Sequence, residues 1–103
     1  MINTLENYIC YKSLALDEYE NHVVFLGYEL KTTKTEYAIL HALIKRHGKP
    51  LSAEELSAIT ALDLTSERLS YHIFNINEKA KAIGERPLIK NIAKNGYFLN
   101  EEM

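Results

Sequence analysis

TSERLSYHIFNINEKAKAIG, residues 65–84, is the stretch on which the fold of this chain turns. Leu69, Ile73, Ile76, Ala80 and Ile83 recur at alternating steps of four and three, which places them on one apolar stripe of a long helix. Arg68, Tyr71, His72, Asn75 and Lys79 line one flank of that stripe, while Glu67, Phe74 and Glu78 fall on its far side. A helix with a buried stripe and a hydrogen-bonding flank, followed by a basic hairpin, suits entry into a DNA groove.

The hairpin lies immediately downstream. Pro87 breaks any further helix, and residues 88–92 and 97–99 read as two strands. Ala93-Lys94-Asn95-Gly96 joins them, with Asn-Gly as the turn signal. Leu64 and Leu69 are spaced to staple the start of the long helix, with Thr65 or Ser66 as its N-cap.

Two more helix starts lie upstream. Ser52 and Glu55 form a capping box with Leu51 and Leu56 at the staple positions, which predicts a short helix over 53–61 and a loop up to Leu64. Thr33 and Glu36 form another box. Tyr37, Leu40, Leu43 and Ile44 then share one face up to Gly48, a residue suited to a left-handed C-terminal cap. Before residue 33 the pattern is strand-like. Residues 8–11, 14–16, 23–26 and 28–30 are four short β-prone runs, separated by the polar turn 17–21 and by Gly27. Such brief connections allow only antiparallel pairing. Val23, Phe25 and Tyr28 are expected to cover the helices.

The expected architecture is α+β, one domain over 1–103. It comprises an N-terminal antiparallel β-meander (1–32), a three-helix core containing a helix-turn-helix (33–84) and a C-terminal β-hairpin wing (85–100).

A chain of 103 residues, 47% hydrophobic, can build one core without metal or disulfide support. The single cysteine, Cys10, excludes an intrachain disulfide, fits a reducing cytoplasm and is expected to act as a small core hydrophobe. Neither a signal peptide nor a membrane-crossing run is present, so a cytoplasmic location without membrane contact is expected. The net charge of −2 is unevenly spread. Residues 1–30 set Lys12 against five carboxylates, for a net −4, and residues 31–100 set eleven Lys/Arg against seven, for a net +4. That asymmetry suggests two faces with different partners. Catalysis finds no support: His22, His41, His47 and His72 lack metal-ligand spacing with carboxylates, no Gly-rich phosphate loop occurs, and Glu54-Glu55 belongs to a helix start. No catalytic residue, metal site or cofactor is expected.

In order along the chain, Leu16-Asp17, Val23, Gly27, Thr33, Glu36, Leu40 and Leu43 resemble the opening of the OmpR/PhoB-type winged-helix effector domain. Ser52, Leu56, His72-Ile73 and Gly96-Tyr97-Phe98-Leu99 resemble its later landmarks. The resemblance covers roughly residues 12–100. It implies the output half of a two-component response regulator, acting in phosphorelay signalling to regulate transcription. The third helix would read the major groove of double-stranded DNA and the wing would reach the minor groove. The loop between Thr60 and Thr65 would touch RNA polymerase, and dimers would bind tandem half-sites.

The departures carry equal information. Family arginines in the second half of the recognition helix are replaced by Asn75 and Asn77 around Ile76. An arginine near the helix start is replaced by Glu67, and the Thr-Val-Arg-Gly of the wing by Asn91-Ile92-Ala93-Lys94. Each lost phosphate contact weakens binding and its salt dependence. The remaining candidates are Arg68 and Lys79 for phosphates, Arg68 also for guanine, and Asn75 for adenine. Tyr71 suits a thymine methyl, His72 a phosphate, and Lys94 with Asn95 the minor groove. Each has a plainer reading: solvated charges for Arg68 and Lys79, edge packing for Tyr71, a half-buried structural histidine for His72. Phe74, if exposed, suits a protein contact or packing under the wing better than base reading. Two functions therefore stand: sequence-specific DNA binding by a transcriptional regulator, or a winged-helix protein-interaction module with a weakened DNA face.

Overall fold

Each of the three helices begins where the sequence supplies a cap. The computed structural model describes residues 7–92 and 96–101. Helix α1 (Lys34–Ile44) opens with Thr33 Oγ1 accepting from the Glu36 amide while Glu36 Oε1 accepts from the Thr33 amide. Helix α2 (Ala53–Thr60) repeats this box with Ser52 and Glu55. The Ser52 backbone amide is the main influence holding the Glu55 carboxyl below its ordinary value. Helix α3 (Ser66–Gly84) starts at Thr65, whose hydroxyl accepts from the Arg68 amide. The staple pairs Leu51/Leu56 and Leu64/Leu69 are buried.

Four strands precede the helices: β1 (Tyr8–Tyr11), β2 (Leu14–Asp17), β3 (His22–Phe25) and β4 (Tyr28–Glu29), paired antiparallel in the order β1-β2-β3-β4. The register sets Leu14 opposite Phe25 and Leu16 opposite Val23, so these four side chains share the inner face and are buried. Helix α1 lies at the centre, against α2, α3, β1 and the last strand. Its Ile39, Leu40, Leu43 and Ile44 join Leu69, Ile73, Ile76 and Ala80 of α3 in one core. Tyr37 fastens α1 to the sheet by donating its hydroxyl to the Asp17 carbonyl at 3.1 Å.

The hairpin is β5 (Ile89–Ile92) with β6 (Gly96–Leu99). Its loop, Lys94 and Asn95 included, lies outside the described residues. Leu51 exchanges two backbone hydrogen bonds with Tyr97, each 2.8 Å, and so adds the lead-in of α2 to the hairpin edge. Gly96 has φ +97°, and a Cβ there would overlap the Leu51 carbonyl oxygen, so this crossing requires glycine.

Three local expectations are corrected. Cys10 is exposed on the outer edge strand rather than in the core, because alternation along β1 turns it away from α1. Tyr28 is 66% exposed: β4 is only two residues long and ends before it can lie over the helices. Gly48 does adopt positive φ, yet it sits three residues beyond the C-cap Lys45, inside a turn that also contains a left-handed His47. Helix α2 ends as expected before a loop that begins at Ala61, its left-handed C-cap.

Candidate nucleic-acid interface

The outward face of α3 is fixed by what its other face buries. With Leu69, Ile73, Ile76 and Ala80 in the core, Tyr71 points away from it and is 64% exposed; Phe74, one turn on, is 62% exposed. Phe74 therefore does not pack under the wing. Glu67 and Glu78 lie on the same exposed line, at i and i+11, with Tyr71 and Phe74 between them. His72 and Asn75 are half-buried along the flank, and the Tyr71 and His72 rings meet edge to face at 5.5 Å.

The turn before α3 is built from short side chains. Ser57 donates to the Leu64 carbonyl and accepts from the Leu64 amide, at 2.9 and 3.2 Å. Thr60 donates to the Leu56 carbonyl at 2.6 Å. The Ser57 bonds tie α2 to the segment leading into α3, and Ala61 and Asp63 stand exposed at the turn.

The cations of α3 are engaged within the chain. Lys79 Nζ lies 2.6 Å from Oε1 of Glu36, a carboxylate only 2% exposed, although the two are 43 positions apart. A buried carboxylate needs a nearby cation, and Lys79 supplies it. Arg68 reaches Asp63 Oδ2 at 3.3 Å, with both side chains in solvent, and Lys81 reaches Glu78 at 3.5 Å. The exposed pairs are weak and open readily to a competing phosphate; the Lys79–Glu36 pair is not of that kind.

Asn77 donates from Nδ2 to the Ile89 carbonyl and accepts from the Ile89 amide, both at 2.9 Å. It clamps the wing to α3. Sequence reasoning missed this role because the partner is backbone, twelve residues away. Lys90 and Asn91 also stand exposed on β5 beside the helix they follow, and only their place in the hairpin could have singled them out.

The structure thus brings Arg68, Tyr71, His72 and Asn75 together along one side of α3, and sets Lys79 against α1. Among the described residues, one group of possible metal-ligand atoms occurs, Asp17, Glu20 and His22 at the β2–β3 turn. Asp17 Oδ1 there already accepts from the Tyr19 and Glu20 amides, as in an ordinary Asx turn. No described helix is long and apolar enough to cross a membrane.

Residues 27–99 match the family described as Transcriptional regulatory protein, C terminal. No curated protein sequence matches the chain. Among solved structures, the Klebsiella pneumoniae RstA DNA-binding domain in complex with the RstA box shares the fold, with TM-score 0.75 and 18% identity over 91% of this chain and 97% of that one. The DNA binding domain of CpxR from E. coli is similar at TM-score 0.73 and 26% identity, over 89% and 94%. The Thermotoga maritima response regulator DrrB, an OmpR/PhoB homolog, is similar at TM-score 0.67 and 26% identity, over 91% of this chain and 44% of that one.

Proposed function

The chain belongs to the OmpR/PhoB-type family of transcriptional regulatory C-terminal domains, and from that premise we propose that it binds double-stranded DNA sequence-specifically to regulate transcription. The observation that carries this reading is the outward face of α3, which presents Arg68, Tyr71, His72 and Asn75 beside the hairpin that Asn77 clamps in place. In this reading α3 lies in the major groove. Asn75 pairs with an adenine edge, Arg68 exchanges Asp63 for a phosphate or guanine, and His72 donates to a phosphate. Lys94 and Asn95 meet the minor groove. Lys79 acts at one remove, by holding α3 to α1.

The same reading makes the chain the output domain of a two-component regulator, working in the cytoplasm. Two copies occupy tandem half-sites, and the loop at residues 60–65 faces RNA polymerase. Selection from a random duplex library tests it. A recovered consensus is expected, at which Asn75→Ala relaxes one position while Lys94→Ala weakens all sites about equally. Recovery of no consensus, or negligible effects of both variants, defeats it.

One observation favours a second reading. The engagement of Lys79 by Glu36, together with two exposed aromatic residues, leaves a face of low positive charge, as a protein-interaction module would carry.

A further inference from the structure

We infer that α3 reads the C5 methyl groups of thymine through Tyr71 and Phe74, so that its preferred half-site is A·T-rich in the major groove. The inference rests on the DNA reading above and names the bases that reading leaves open.

Two independent observations lead to it. The first is apolar. Tyr71 and Phe74 are 64% and 62% exposed, one helical turn apart, on the face opposite the buried stripe. Thymine is the base that presents an apolar group in the major groove, and an aromatic ring set against that methyl removes surface of both from water.

The second observation is electrostatic. Guanine offers two acceptors, N7 and O6, and is read by bidentate cations. On α3, Lys79 is held by the buried Glu36 and the Asn77 amide by Ile89, and Lys81 lies in the last turn. Arg68 lies on the reading flank, at the helix start. Aromatic contact selects thymine, and Asn75 beside it selects adenine. Both choices describe A·T pairs.

Phe74 thus takes a base-reading role that its apolar character alone did not suggest. It is exposed at the middle of the helix, one turn from Tyr71.

Equilibrium binding at fixed low salt to alternating poly(dA-dT), poly(dA-dU) and poly(dG-dC) duplexes tests the inference. The first two differ only by the methyl group, and the minor groove is unchanged between them. Wild-type protein is expected to bind poly(dA-dT) best, and to lose about fourfold for each buried methyl, or about fifteenfold for two, on poly(dA-dU). The double variant Tyr71→Ala/Phe74→Ala, whose fold is checked by thermal melting, is expected to bind the T and U duplexes equally. Equal wild-type binding to those two duplexes, with affinity that still falls with salt, overturns the methyl reading and leaves DNA binding standing. Folded protein that binds none of the three overturns both and assigns the face to a protein partner.

Discussion

Replacing Lys79 with methionine separates a cation that serves the fold from one that serves DNA. Methionine keeps most of the alkyl stem and removes the ammonium from the 2.6 Å contact with Glu36. Breaking a buried pair from one side costs about 3–5 kcal/mol, because the remaining charge has lost its partner. Lys79 is itself 38% exposed, so water screens part of the interaction, and the Thr33 amide still donates to Glu36 Oε1. A cost of about 2 kcal/mol follows. For a chain of this size it lowers the melting temperature by about 10 °C. Adding Glu36→Gln is expected to recover most of that loss, since glutamine retains the capping box and carries no charge. Calorimetric melting of the four members of the cycle supplies the coupling energy. Any Lys79→Met variant that remains folded is also expected to show an unchanged salt dependence of DNA binding. A melting temperature within about 1 °C of wild type, or strict additivity in the cycle, refutes the reasoning about the buried pair. A shallower salt slope refutes the claim that Lys79 lies off the phosphates.

The remaining predictions concern the wing, the clamp and the turn that meets α1. Gly96→Ala is expected to cost at least about 2 kcal/mol and to break the Leu51–Tyr97 bridge, since the position combines positive φ with a carbonyl overlap; urea unfolding reads the loss. Asn77→Leu removes both bonds to Ile89 and is expected to cost about 2–3 kcal/mol, with faster hydrogen exchange at the Ile89 amide and little change across β1–β3. The Glu18 carboxyl is held below its ordinary value chiefly by the hydrogen bond from His41, with Lys45 assisting. A depressed carboxyl contributes stability above its unfolded value and loses it as pH falls through the folded one. Wild type is therefore expected to lose its advantage over Glu18→Gln as pH falls through the carboxylate range, and melting curves that stay parallel there would exclude the link.

How much of this was legible in the sequence depended on the distance between partners. Thr33/Glu36, Ser52/Glu55 and Leu64/Leu69 act across three to five residues, so their spacing alone announced three helix starts, and the structure has all three. The alternation of Leu14, Leu16, Val23 and Phe25 likewise declared one buried face, because a strand has only two. Tyr28 and Cys10 misled because exposure there depends on where a short or edge strand stops, which composition does not encode. The candidate interface was legible as a flank but not as a set of commitments. Lys79 reads as a solvated cation until α1 crosses α3 and brings Glu36 to it, 43 positions away. Asn77 reads as a lost arginine until the hairpin folds back and presents the Ile89 backbone. Both are tertiary facts, set by helix crossing and hairpin return rather than by local pattern.

The central claim is that α3 and the wing engage duplex DNA through a small number of phosphate contacts, and the salt dependence of binding to a random duplex tests it most directly. The account predicts micromolar binding at low salt, with the logarithm of the association constant falling against the logarithm of salt at a slope of about −2 to −4. Folded protein that fails to bind at about 50 mM salt, or binds with an affinity indifferent to salt, would contradict it.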